Sequence, residues 1–186
     1  MSVSKKSSTS DLPLQTKEVT DIEVANFKLS PHLIRLMWDE PFFSRILRGI
    51  NKIRTEQIPT AGVLAKDGEI NFWWNPRFLA GLNPQQIKGL IKHECYHLLF
   101  DHTTTRRQDP HIIWNYATDL AINSLIDENE LPEGGLIPGK SFEPLTEEQM
   151  ASMGPKAVEN YMMVSQKISA FPKNQSSEWY FSQLMS

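Results

Sequence analysis

The sequence predicts an α+β fold that is mostly helical, with a small β-hairpin or sheet packed beside one central helix. Three observations predict it. Apolar residues recur at helical spacing from Asp21 to about Gln57 and again from Asn83 to Ile126. Between Ile58 and Trp74 the pattern shortens to two strand-like runs around an Asp-Gly pair. A well-capped amphipathic helix then begins at Asn83. With 186 residues the chain has the size of one domain and can bury a core without staples.

Taken in order, residues 1–20 read as a flexible polar tail, since Met1 to Ser10 is rich in Ser and Lys and has no apolar run. Val24, Phe27 and Leu29 lead to Ser30-Pro31, a helix start, with Leu33, Ile34, Leu36, Met37 and Trp38 following. Pro41 interrupts that helix, because a proline lacks the N–H and clashes with the preceding turn. A second helix is expected after it, with Phe42, Phe43, Ile46, Leu47, Ile50 and Ile53 on its buried face and Arg45, Arg48, Lys52 and Arg54 solvated. Ala61–Ala65 and Ile70–Trp74 form the hairpin, joined through Asp67-Gly68. Phe78, Leu79 and Leu82 suggest a short helical connector.

The central helix follows. Asn83 is a good N-cap and Pro84 suits the first helical position. Ile87, Leu90, Ile91, Leu98 and Leu99 make its apolar stripe, and Gly89 inside it marks a close approach to a neighbour. After a polar loop ending at Pro110, the stretch from His111 to Ile126 reads as a second core helix, with Ile112, Ile113, Tyr116, Leu120 and Ala121 on its apolar side. From Leu131 the composition loosens. Residues 136–186 read as a loop-rich C-terminal extension, with a helix around Val158 to Ile168 and a capped terminal helix after Ser176.

A net charge of -3 and a pI near 6.0 give no electrostatic case for nucleic acid or for an anionic membrane. No apolar run approaches the ~18 residues that a membrane span needs. A single cysteine, Cys95, excludes an internal disulfide framework and fits a reducing compartment. Its position suggests packing rather than nucleophilic chemistry.

The central helix carries His93-Glu94-Cys95-Tyr96-His97, an H-E-x-x-H. Four positions at about 100° per residue put the two imidazoles about 40° apart, one turn from each other on one face. That spacing lets two neutral imidazoles share one tetrahedral Zn²⁺, while Glu94 at the edge of the face can reach a water as general base. Two candidates offer a third ligand. Asp119 lies on the returning helix, and His102 could turn back if the first helix ends near Leu99 or Phe100. A carboxylate on the next helix resembles the thermolysin-like arrangement and makes Asp119 the favoured choice, with His102 the alternative. Asp119 could instead orient a histidine through its free ring N–H. Asn115, Asp119 and Asn123 align as a polar row that needs buried partners. Arg106, His111 and Tyr116 are candidates for steadying an oxyanion, and Asn115 and Asn123 for supporting the ligands.

These segments together resemble the zincin-like "putative metallopeptidase domain" proteins of bacteria and tailed bacteriophages. The shared features, in order, are Pro41-Phe42-Phe43, Thr60-Ala61 opening a hairpin, Asn75-Pro76, and the H-E-x-x-H with His102 and Arg106 behind it. Trp114, Asn115, Ala117, Asp119 and Asn123 then match W-N-x-A-x-D-x-x-x-N, followed by Leu131-Pro132-Glu133-Gly134 and a tail like Ser177–Tyr180. The resemblance is good over about residues 30–135. It implies a zincin-like metallopeptidase domain over residues 21–135. Bacterial members often continue into a von Willebrand factor A-like domain; a stand-alone form like that of phages is the expectation here.

The expected function is a zinc-dependent metallopeptidase-like hydrolase acting on a peptide or protein. The alternative is a non-catalytic, metal-stabilised scaffold that binds a protein partner. A nucleic-acid hydrolase with a similar site is disfavoured by the acidic charge. A cytoplasmic location is expected, the host cytoplasm if phage-encoded.

Overall fold

The computed structural model describes residues 14, 16–102 and 106–186. The polar tail expected at the start of the chain lies outside these as far as residue 13 and at 15, as does part of the loop after His102. Thr20 caps the first helix, α1 (Asp21–Asn26), through a reciprocal capping box with Glu23. Helices α2 (Ser30–Asp39) and α3 (Pro41–Arg48) separate at Pro41, as expected from its missing donor.

The helix after Pro41 is shorter than its apolar pattern implied. Gly49 ends it, and Asn51–Arg54 forms an edge strand, β1, in which Ile53 is 37% exposed. Phe42, expected on the buried face, is 57% exposed, and Phe43 fills the core beside it. The strand has no local signature because its partner is a parallel strand twenty residues further on.

The predicted hairpin is present as β2 (Ala61–Lys66) and β3 (Glu69–Trp74). Asp67 and Gly68 both take positive φ, 53° and 79°, the conformation whose twist suits a two-residue hairpin. Strand order is β1-β3-β2. The short α4 (Pro76–Ala80), capped by Asn75, leads to α5 (Pro84–Leu99), which starts in a capping box between Asn83 and Gln86.

Helix α5 is the spine. Ile87, Leu90, Ile91 and Cys95 bury against α2, α3 and the sheet. Each fully buried side chain of this size contributes about 1.5–3 kcal/mol. Helix α6 (His111–Asn123) lies across α5 and packs along α9 (Ser177–Met185) and the end of α8 (Pro155–Ser169). Trp114, Leu120, Leu136, Ile168 and Tyr180 form this second core. Ile112 does not join it and is 47% exposed. A short α7 (Glu147–Met153) precedes α8.

A 3₁₀ turn at Glu128–Glu130 is seated directly on α5 at Gly89, where any Cβ would lie 1.8 Å from the Glu130 carbonyl oxygen. This is the close approach that the glycine in the helix implied. Beside it Lys92 is buried between the carboxylates of Glu130, at 3.0 Å, and Glu40, at 3.1 Å. The trio ties α5 to the start of α3 and to the 128–130 turn. Among the described residues, no helix is long and apolar enough to cross a membrane.

Candidate metal centre

Helices α5 and α6 meet at a buried cluster. Nε2 of His93, Nε2 of His97 and Oδ1 of Asp119 form a triangle with edges of 3.0, 3.3 and 3.2 Å. All three residues are buried. Helical spacing supplies the two imidazoles from α5, and α6 brings the carboxylate from the opposite side.

Hydrogen bonds behind the cluster decide what faces it. The Asn123 amide nitrogen donates to the Leu136 carbonyl at 2.8 Å, which turns its oxygen toward His93. That oxygen lies 2.7 Å from His93 Nδ1 and can only accept, so Nδ1 carries a proton and Nε2 is the ring nitrogen left to face the cluster. Three electron-rich atoms converging this closely need a proton or a cation between them. In a tetrahedral site with bonds of ~2.0–2.1 Å, ligand atoms stand about 3.3–3.4 Å apart, close to the triangle observed. The donor set therefore fits a metal ion of the borderline nitrogen-and-oxygen-binding kind.

The electrostatics agree. Burial works to lower the His93 pKa, yet the Asp119 carboxylate in contact with it, helped by the charge of Glu94, raises it to about 9. Asp119 shows the complementary shift: burial works to raise it, and the two histidines hold it below its ordinary value. Without a cation the cluster keeps a proton. Glu94, next to His93 on α5, is 1% exposed.

His102 does turn back, but to the far side of His97. Its Nδ1 lies 3.3 Å from His97 Nδ1, the ring nitrogen pointing away from the cluster. The turn is a helix C-terminal motif in which the His102 N–H bonds the His97 carbonyl at 3.0 Å and the Asp101 N–H bonds Leu98 at 3.1 Å. Asp101 takes φ 57°, a left-handed conformation in which glycine is usual. Burial lowers the His102 pKa to about 3, which keeps the ring neutral.

The remaining candidates are spread out. Arg106 pairs with Glu178 and donates to the Phe100 carbonyl at 3.1 Å. His111 is exposed at the first residue of α6, and Asn115 and Tyr116 are half-buried further along it. Cys95 is buried in the core, and that burial pushes its thiol up to about 12, as a packing residue requires. Sequence reasoning missed the Lys92 trio, the Leu136 carbonyl behind Asn123, and Ser177, whose hydroxyl lies 3.1 Å from His102 Nε2. No local pattern could have found the last of these, because the pair is 75 residues apart.

A cavity of about 30 Å³ opens beside His93 and Asp119, enough for a water or two. Leu14, Leu131, Pro132 and Gly135 separate it from a cavity of about 470 Å³ lined by Glu128, Glu133, Phe142 and Tyr161.

This mostly helical α+β domain buries two histidines of an H-E-x-x-H helix against an aspartate from the next helix, a group that could hold a metal ion. A family model described as "Putative metallopeptidase domain" matches residues 26–167, more than half of the chain, and the protein belongs to that family. No curated protein and no solved structure matches the chain.

Proposed function

We propose that the protein is a zinc-dependent metallopeptidase, with His93, His97 and Asp119 as the metal ligands and Glu94 as general base. The triangle of converging nitrogen and carboxylate atoms at 3.0–3.3 Å is the observation that carries this reading. Zn²⁺, when bound there, supplies Lewis acidity: it lowers the pKa of a coordinated water towards about 7 and polarises a carbonyl. The chain's own groups do the rest. Asn123 holds His93 in the tautomer that leaves Nε2 free. Glu94 takes the proton from water as the oxygen attacks the peptide carbon, then delivers it to the departing amine, and the second water proton also ends on the amine, giving a carboxylate and a protonated amine.

The sheet supports a place for a peptide substrate. Strand β2 packs against α5 and pairs with β3 along one edge only among the described residues. An extended peptide adding to its other edge gains main-chain hydrogen bonds beside the site.

The small size of the cavity beside His93 and Asp119 supports a second reading, in which a metal serves only to hold a scaffold together. Glu94→Gln separates the two. On the catalytic reading the zinc-loaded variant keeps its metal and loses peptide hydrolysis at least 100-fold, the order of a general-base contribution of ~10²–10⁴. A zinc-loaded wild type with no hydrolytic activity on denatured protein substrates favours the scaffold.

A further inference from the structure

Ser177 begins α9, is 3% exposed, and places its hydroxyl 3.1 Å from Nε2 of His102. The His102 ring is itself buried, with the centroid of the nearly perpendicular Trp114 ring at 5.9 Å and that of the Phe100 ring at 5.7 Å. Arg106 secures the same junction from outside. It bonds the Phe100 carbonyl at the end of α5 and the carboxylate of Glu178, the residue after Ser177. The first turn of α9 is thus joined by two separate contacts to the turn that carries His102.

We propose that His102 and Ser177 are positioning residues for His97, forming a relay that fixes which ring nitrogen His97 presents to the cluster. The proposal rests on the reading of His93, His97 and Asp119 as a metal site. Nε2 of His97 faces His93 and Asp119, so it can bind a cation only with its lone pair there, which puts the His97 proton on Nδ1. That N–H has His102 Nδ1 at 3.3 Å, which accepts only when it is bare. The His102 proton then sits on Nε2 and donates to the Ser177 oxygen. One direction is consistent along the whole relay: His97 to His102 to Ser177. Asn123 performs the same task for His93 in a single step.

The relay makes α9 part of the centre, although it lies beyond the residues 26–167 that the family model matches. Removing the serine oxygen leaves a buried N–H without its acceptor and frees His97 to rotate or change tautomer. Partners behind a metal ligand typically alter affinity by 10–100-fold. Ser177 acts through one intervening ring, which points to the lower end of that range.

The test uses the full-length protein with zinc alone. Dissociation constants are measured by chelator competition for wild type, Ser177→Ala and Ser177→Thr, and ring-proton positions by long-range ¹H–¹⁵N spectra of labelled histidines. The expected result is about tenfold weaker zinc binding in Ser177→Ala, near-wild-type binding in Ser177→Thr, and a wild-type His102 protonated at Nε2 and bare at Nδ1. Equal zinc affinity in wild type and Ser177→Ala overturns the relay, as does a wild-type His102 protonated at Nδ1. The wild-type spectrum decides the matter even if Ser177→Ala does not fold. A wild type that takes up no zinc overturns the metal site itself and the relay with it; a wild type that binds zinc while Ser177→Ala binds it equally removes the relay alone.

Discussion

Gly89→Ala sets helix propensity against packing, because the two give opposite signs. In an isolated helix the substitution stabilises by about 1 kcal/mol. In the folded protein the new Cβ falls 1.8 Å from the Glu130 carbonyl oxygen and 2.6 Å from its carbonyl carbon. Both are backbone atoms, so no rotamer change relieves the contact. Ordinary contact begins at 3.4 Å, and the 128–130 turn must therefore retreat by about 1.6 Å. That retreat draws Glu130 from Lys92 and disturbs the segment leading to Leu136, whose carbonyl orients Asn123. Overpacking of this kind costs ~1–3 kcal/mol, and loosening a buried ion pair adds to it. After the propensity gain, a net loss of about 2–3 kcal/mol remains, a fall in Tm of roughly 5–10 °C for a chain of this length. Circular dichroism melts of the metal-free proteins measure it directly. A Tm equal to or above wild type refutes the close approach of the turn to α5.

Three further outcomes follow from the buried charges. Lys92→Met leaves the Glu130 carboxylate buried without its cation and destabilises the fold by about 3 kcal/mol, measured by urea titration; unchanged stability contradicts the role given to the trio. Zinc must displace the proton that Asp119 holds on His93, whose pKa is raised to about 9. Zinc affinity therefore rises steadily between about pH 6 and about pH 8 and levels near 9 in chelator competition. The metal-free protein shows the reverse trend. A pKa raised on folding means that the His93–Asp119 pair stabilises fully below the ordinary imidazole value of 6.5, and this contribution fades as pH rises through about 9. A pH-independent zinc affinity across this range contradicts the protonated cluster.

Local signals in the sequence carry most of the site-bearing helix pair. Asn83-Pro84, the H-E-x-x-H spacing and the Asn115, Asp119, Asn123 row are all read within one or two helical turns, and the hairpin is read from Asp67-Gly68. What escaped depends on pairing at a distance. Strand β1 exists because β3 offers a parallel edge, so its residues look like the continuation of a helix. Phe42 and Phe43 are adjacent and chemically alike, and only the direction in which α3 meets the core decides which is buried. In the sequence His102 is a ligand candidate because a helix ending near Leu99 or Phe100 lets it turn back. The left-handed turn at Asp101 sends it instead to the outer nitrogen of His97, where a serine from the end of the chain meets it.

The most direct test of the metal centre is elemental analysis of protein purified without chelators, for wild type and Asp119→Ala side by side. The cluster geometry predicts about one zinc per wild-type chain, as a single three-residue site implies, and a large loss of bound zinc in Asp119→Ala. A metal-free wild type, or an Asp119→Ala variant that loads as fully as wild type, contradicts the site built from His93, His97 and Asp119.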